Sequence, residues 1–300
     1  MDSASSDLLP SASTSERFTH KLLHPDRVSD LFAEHKDKVA QVLERARRYV
    51  QQHPELEAAA KQVTLDELYA LRFLLSTKSD DVNQAAENLE ATLRWRSERL
   101  ENLENARKGR IVYNDLLTKH SHVAIVGLLG GLHPTVVVRA GRANMKGIFN
   151  ELTQDQLVEN QLMFNEAIFH QCDLKTRETG LLCKQIAIID IEGFSLFRFD
   201  PKFGKMMGKA STLSAVFYPQ LLGKTIIMNM PLTFRVIFKA MRVFMPASTL
   251  EKQAMCPANT LKKSASECPF LKKFANGPEI MPPFLGGTRA MLPELQLDGH

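Results

Sequence analysis

Residues 218–251 run YPQLLGKTIIMNMPLTFRVIFKAMRVFMPASTLE, and they divide into a turn, a buried strand, a proline at a helix start, a mostly apolar helix and a second proline as its stop. Residues 224–230 (KTIIMNM) form an apolar run of strand length, with Gly223 before it and Pro231 just after it. Pro231 suits a helix start, where its missing N–H leaves no bond unmade. From 232 to 245 the spacing predicts a helix roughly 21 Å long at about 1.5 Å per residue, which Pro246 stops. At about 100° per residue, Arg235, Lys239 and Arg242 share one narrow face. Leu232, Phe234, Val236, Ile237, Phe238, Ala240, Met241, Val243, Phe244 and Met245 cover the rest of the circumference. Such a helix either turns its cations to water from a core position, or lies between an apolar interior and a phosphate-bearing surface.

Outward from this stretch, strands and helices alternate. Residues 184–192 (KQIAIIDIE) are a continuous apolar run, as in a strand buried on both faces. Residues 123–129 (VAIVGLL) and 135–139 (TVVVR) are strand-like and joined by GGLHP, a turn by composition. Helices are expected over 152–172, opened by Thr153, and over 200–222, with an edge strand at 250–256 and a Lys-rich helix around Phe270 and Leu271. Alternation of this kind predicts an α/β chain with a mixed or mainly parallel sheet. The first third is different: amphipathic helix over 30–52, a short helix after Pro54, and TLDE at 64–67 as a capping box with Thr64 at the cap. Ser79 and Asp80 are expected to cap a helix over 81–103. The organisation is therefore a Ser-rich, disordered tail over 1–27, a helical module over 28–105, the α/β domain over 106–290 and a short tail over 291–300.

Composition narrows the function. With 44% hydrophobic and 24% charged residues in 300, the chain has ample core. It contains no run of the ~18 apolar residues a membrane span needs, and its acidic, Ser-rich start is no secretory signal, so a cytoplasmic protein is expected. Cys172, Cys183, Cys256 and Cys268 lack CxxC spacing and are expected as free thiols. His170 with Cys172, and His120 with His122, have no second ligand pair at finger spacing, so no metal is expected. Between Lys202 and Lys273, twelve lysines and arginines face only two glutamates, which points to an anionic partner. Nucleic acid is not favoured, because surface aromatics do not interleave with these cations. GKMMGKA at 204–210 fails as a phosphate loop for want of one residue between its glycines and a Ser or Thr after Lys209. No GxSxG or GxGxxG is present. Asp190 and Glu192 share a strand face and suit either an acid–base pair or a strand end bonded to the turn at Gly193; without a partner fixed by spacing, catalysis is not expected.

Four groups of residues carry a family likeness. They are residues 68–96 with Leu71-Arg72-Phe73-Leu74, Ala85 and Trp95-Arg96; IIDIEGFS at 188–195; Tyr218-Pro219 with Gly223-Lys224 and Asn229-x-Pro231; and Pro282 with Gly286-Gly287. In this order over roughly 64–288, the chain resembles the CRAL-TRIO, or Sec14-like, lipid-binding and lipid-transfer proteins. The resemblance implies a helical N-module and a mixed sheet whose helices enclose an apolar cavity for one lipid. The helix after Asn-x-Pro would be a mobile gate that opens at a bilayer. Phe234, Phe238 and Met241 of that helix, with Phe217, Tyr218 and Ile227, would then meet the cargo. Arg242, Lys239 and Lys209 would meet its headgroup, and Arg235, Phe244 and Met245 the membrane. Phosphatidylinositol-binding members pair a gate lysine with a glutamate on the preceding helix; Arg242 and Lys209 stand at those positions, and the charge reversal at Lys209 departs from that pair. Leu75 stands where further basic residues often follow the RFL run. Ile189 and Ile191 flank Asp190, where haem-binding relatives place His and Tyr, so no haem is expected. The expectation is a non-enzymatic, monomeric carrier of a phospholipid, phosphatidylinositol or another phosphoinositide, with the lipid as cargo and no cofactor, docking transiently on anionic membranes as a peripheral protein. The alternative is an interaction, scaffold or lipid-sensing module without transfer, its interior plugged by Met206, Met207, Phe217, Phe234 and Phe238.

Overall fold

The computed structural model describes His20 and residues 23–256, 265–274, 276–277 and 279–288, apart from the side chains of Leu232, Thr233, Arg235, Ser248 and Ala265. Both expected tails, over 1–27 and 291–300, fall largely or wholly outside the described residues. The helical module comprises α1 (Val28–Gln52), α2 (Glu57–Gln62), α3 (Glu67–Leu74), α4 (Val82–Ser97) and α5 (Leu100–Arg107). Helix α1 buries Val39, Val42, Leu43 and Ala46, the three-and-four spacing of one helical face. Two caps differ from expectation. Thr64 sits at φ 54°, a left-handed backbone unsuited to an N-cap; Asp66, extended at φ −130°, instead accepts from the Tyr69 N–H. Ser79 and Asp80 are also left-handed, and Asp81 accepts from the N–H groups of Asn83 and Gln84. The single helix expected over 81–103 breaks where Arg99 leaves helical geometry at φ −133°, ψ 17°.

Helices α6 (Asn114–His120), α7 (Met145–Glu151), α8 (Gln154–Thr179), α9 (Lys202–Phe217), α10 (Leu232–Met241) and α11 (Ala247–Leu250) surround a five-stranded sheet. Its strands are β1 (Val123–Leu129), β2 (His133–Val138), β3 (Gln185–Asp190), β4 (Leu222–Met228) and β5 (Gln253–Met255), in spatial order β1-β2-β3-β4-β5. The β1–β2 hairpin is antiparallel and every other pairing is parallel, so the sheet is mixed. Helix α8 has a reciprocal capping box between Thr153 and Gln156 and ends at Gly180, φ 68°. The helix expected over 200–222 stops at Phe217, ahead of Pro219. The edge strand expected over 250–256 shrinks to β5, because 247–250 turn into α11. The Lys-rich helix near Phe270 is a single 3₁₀ turn, Leu271–Lys273.

The two faces of the sheet differ. On one, Val137, Ile186, Ile188, Ile226 and Met228 are fully buried beneath Cys268, Phe270, Leu271, Phe274 and Leu285 of the C-terminal segment. Cys256 and Cys268 form a disulfide that ties this segment to the end of β5, which corrects the expectation of four free thiols; Cys172 and Cys183 are free and buried. The other face lies under α8, α9 and α10. There Ala187 and Ile189 of the central strand are half-buried, while their neighbours Val136 on β2 and Thr225 and Ile227 on β4 are buried. Among the described residues, no helix is long and apolar enough to cross a membrane.

Candidate functional site

At the carboxyl edge of the parallel strands, three motif pieces meet. Asn229, at the end of β4, has φ 52° and donates from Nδ2 to Asp190 Oδ1 at 2.8 Å. The same oxygen accepts from the Glu192 N–H at 3.1 Å. The register makes this pairing inevitable, since Asp190 lies opposite Met228 in the β3–β4 ladder. Arg139, just past β2, approaches Asp190 Oδ2 at 3.8 Å and Glu192 at 3.7 Å. Its guanidinium also lies 4.0 Å from the ring centre of Phe284, within the C-terminal Pro282–Gly287 motif. Asp190 and Glu192 therefore serve the strand ends and the turn. With Asn229 left-handed and Pro231 extended at φ −70°, ψ 154°, the chain swings out of the sheet and into α10 at one defined corner.

Helix α10 is apolar on both sides. Inward, Phe234, Phe238 and Met241 are buried at spacings of four and three. Phe234 and Phe238 pack with Ile191, Ile227 and Met230 over the strand ends, and Phe194 meets Phe234 edge-on at 4.6 Å. Outward, Val236 is 74% exposed and Val243 78%, with Lys239 and Ala240 beside them. The α-helix ends at Met241 and not at Met245, because Arg242–Phe244 tighten into a 3₁₀ turn. That turn is pressed onto α9: a Cβ built at Gly208 would stand 2.4 Å from the Phe244 carbonyl oxygen. Only a glycine permits so close an approach.

The expected site residues separate into groups. Ile227 of β4 packs with Phe234 and Phe238 on the inner side of α10, and Met241 is buried against Gly204 of α9. Arg242 is half-buried in the 3₁₀ turn and Lys239 is exposed on the outer side. Lys209 faces away from this interior: it is exposed and ion-paired to Asp155 at 2.7 Å. Phe217 and Tyr218 are turned toward the helical module, which corrects their expected place against cargo. Phe217 stacks on Trp95 at 4.4 Å, and Tyr218 packs against Trp95 and Phe169 at 6.0 and 5.7 Å. Phe244 is 44% exposed at its edge, and the Met245 sulfur accepts from Gln253 Nε2 at 3.5 Å. The Arg235 side chain lies outside the described residues.

The N-module motif residues form the joint with α8. Arg96 donates to both carboxylate oxygens of Glu166 at 2.8 and 2.7 Å, and Arg107 donates to the same group at 2.7 Å. Burial pushes the Glu166 carboxyl upward, but the two guanidiniums outweigh it and hold the group at about 2. Arg72 donates to Thr176 at 2.9 Å and lies 3.5 Å from Asp173. Sequence reasoning missed Glu166, Arg139 and the Asp190–Asn229 bond. Strand register alone, placing the two strand ends side by side, is the signal that finds the last.

A mixed sheet is thus sealed on one face by a disulfide-tied segment and covered at its carboxyl edge by a helix that buries Phe234 and Phe238 and exposes Val236. The CRAL/TRIO domain model matches residues 131–287, just over half of the 300 residues, and the chain belongs to that family, a family of lipid-binding and lipid-transfer proteins. The chain is 25% identical over 239 residues to the CRAL-TRIO domain-containing protein YKL091C of Saccharomyces cerevisiae, covering 76% of this chain and 72% of that one. It is 25% identical over 138 residues to the SEC14 cytosolic factor of Yarrowia lipolytica, covering 45% of this chain but only 28% of that protein's length. Among solved structures, the crystal structure of Sfh5 aligns with a TM-score of 0.46 at 15% identity, covering 87% of this chain and 88% of that one.

Proposed function

We propose that this protein is a non-enzymatic carrier that encloses one phospholipid beneath α10 and exchanges it at anionic membranes. The observation that carries this reading is the two-sided α10. A helix that only closed a core would present a polar outer face. Here Val236 is exposed beside Lys239, and Val243 in the turn that follows, while Phe234 and Phe238 face the sheet at Ile227 and half-buried Ile189. Enclosure answers a physical need, since each acyl CH₂ left in water costs about 0.8 kcal/mol. Arg242, half-buried at the rim, supports a phosphate-bearing headgroup, with phosphatidylinositol the first candidate. Lys209, paired with Asp155, is poorly placed to share it. The Gly208–Phe244 contact favours a second reading, a lipid sensor that stays shut and does not transfer.

Native mass spectrometry of the purified protein, followed by transfer of labelled phosphatidylinositol and phosphatidylcholine between vesicles, tests both. Bound phospholipid with transfer supports the carrier. Bound phospholipid without transfer supports the sensor. A protein with neither sinks the lipid reading altogether.

A further inference from the structure

The loop between β3 and α9 carries the most exposed large apolar side chain of the described residues. Phe197 is 89% exposed, and Leu196 beside it 60%. Two adjacent large side chains held in water are costly unless something covers them. The loop is also braced. Arg198 donates to the carbonyl oxygens of Gly141, Arg142 and Gly193, at 3.3, 3.2 and 2.6 Å, and its own carbonyl accepts from the Lys146 N–H at 3.1 Å. Phe194 packs edge-on against Phe199 at 5.8 Å and against Phe234 of α10 at 4.6 Å. The tip is thus presented on a braced base that abuts the start of α10. Around it stand the exposed cations Lys146, Lys202 and Lys205; of the nearby acids, Glu192 is engaged by Arg139 and Arg142 and Asp200 accepts from the Lys202 N–H.

We propose that Leu196 and Phe197 insert into the acyl region of an anionic bilayer as a second anchor, separate from the outer face of α10. An apolar tip ringed by cations complements a leaflet with anionic headgroups above hydrocarbon. Two anchors, one on each side of the Phe194–Phe234 contact, fix the orientation in which α10 meets the membrane. This inference rests on the proposal that the protein docks on membranes, and the experiment separates the two.

The full chain, an L196D/F197D variant and a V236D/V243D variant are compared by cosedimentation with vesicles of phosphatidylcholine containing phosphatidylserine. In parallel, F197W is mixed with vesicles whose acyl chains are brominated; the single native tryptophan, Trp95, stacked on Phe217, gives a constant background. Residues so exposed contribute little packing, so these variants keep the fold. The expected result is a loss of vesicle binding on the order of tenfold or more in L196D/F197D, with quenching of F197W fluorescence. If V236D/V243D loses binding while L196D/F197D binds like the parent, or if F197W is not quenched, the second anchor is overturned and docking through α10 stands. If the parent does not bind vesicles, the docking proposal falls first and the anchor with it.

Discussion

Glu166 shows how one side chain joins two parts of the molecule. Its carboxylate is buried on α8 and receives three hydrogen bonds from Arg96 and Arg107 of the helical module. The folded-state value of about 2 lies below the ordinary 4.5, so the stabilisation from this group is present above the ordinary value and drains away as pH falls toward 2. Acid unfolding of the parent should steepen in that window, and E166Q should flatten it. At neutral pH the same substitution removes the counter-charge of the buried Arg96 guanidinium and of half-buried Arg107. A loss of about 3–5 kcal/mol is expected, the usual cost of breaking a buried pair from one side. Urea denaturation of both proteins across the pH range reads both effects; equal stability at pH 7 would show the pair to be idle. None of this was visible in the sequence, where Arg96 was only one half of a Trp-Arg signature. Its partner stands on another helix, and local spacing holds no record of that contact.

The contact between α9 and the 3₁₀ turn after α10 makes a prediction with a built-in control. A methyl at Gly208 meets the Phe244 backbone at 2.4 Å, whereas one at Gly204 meets the Met241 side chain at an ordinary 3.4 Å. G208A must therefore part the two elements, at a cost of about 1–3 kcal/mol borne by the packed-down arrangement alone. Release of a bound fluorescent phospholipid should quicken by roughly tenfold in G208A and stay near the parent rate in G204A. Equal rates in all three proteins would mean that this contact does not hold the helix shut. The same close approach explains why the end of α10 was not legible in sequence: apolar periodicity ran on to Met245, while packing on a glycine tightened the last turn. Strands were legible, because β3 reads as an uninterrupted apolar run of strand length, IAIID. The caps at Asp66 and Asp81 were not, because left-handed backbone at Thr64, Ser79 and Asp80 moved each helix start. Phe234, Phe238 and the strand residue Ile227 come together beneath α10. Phe217 and Tyr218 did not, since Trp95 claims them from a helix far away in sequence.

At the scale of the whole molecule, exposed Lys202 and Lys205 on α9, exposed Lys239 on α10 and half-buried Arg242 add cations to the elements that carry the outward Val236, Val243 and Phe244. Near an anionic leaflet each cation contributes about 1 kcal/mol, and salt shortens its reach to a screening length of about 8 Å at physiological ionic strength. Apolar insertion is far less sensitive to salt. The two contributions are therefore separable by a single titration. Transfer of phospholipid from phosphatidylserine-containing vesicles should fall steadily with added salt, while transfer between purely zwitterionic vesicles should be slow and nearly flat. R242E belongs to the same experiment. Because Arg242 is only half-buried in the 3₁₀ turn, the substitution should leave the unfolding free energy within about 0.5 kcal/mol of the parent. It should nonetheless lower transfer from anionic vesicles several-fold and weaken the salt dependence by the loss of one positive and the gain of one negative charge. If R242E transferred like the parent at every ionic strength, the rim arginine would meet neither headgroup nor leaflet, and docking would rest on apolar insertion alone.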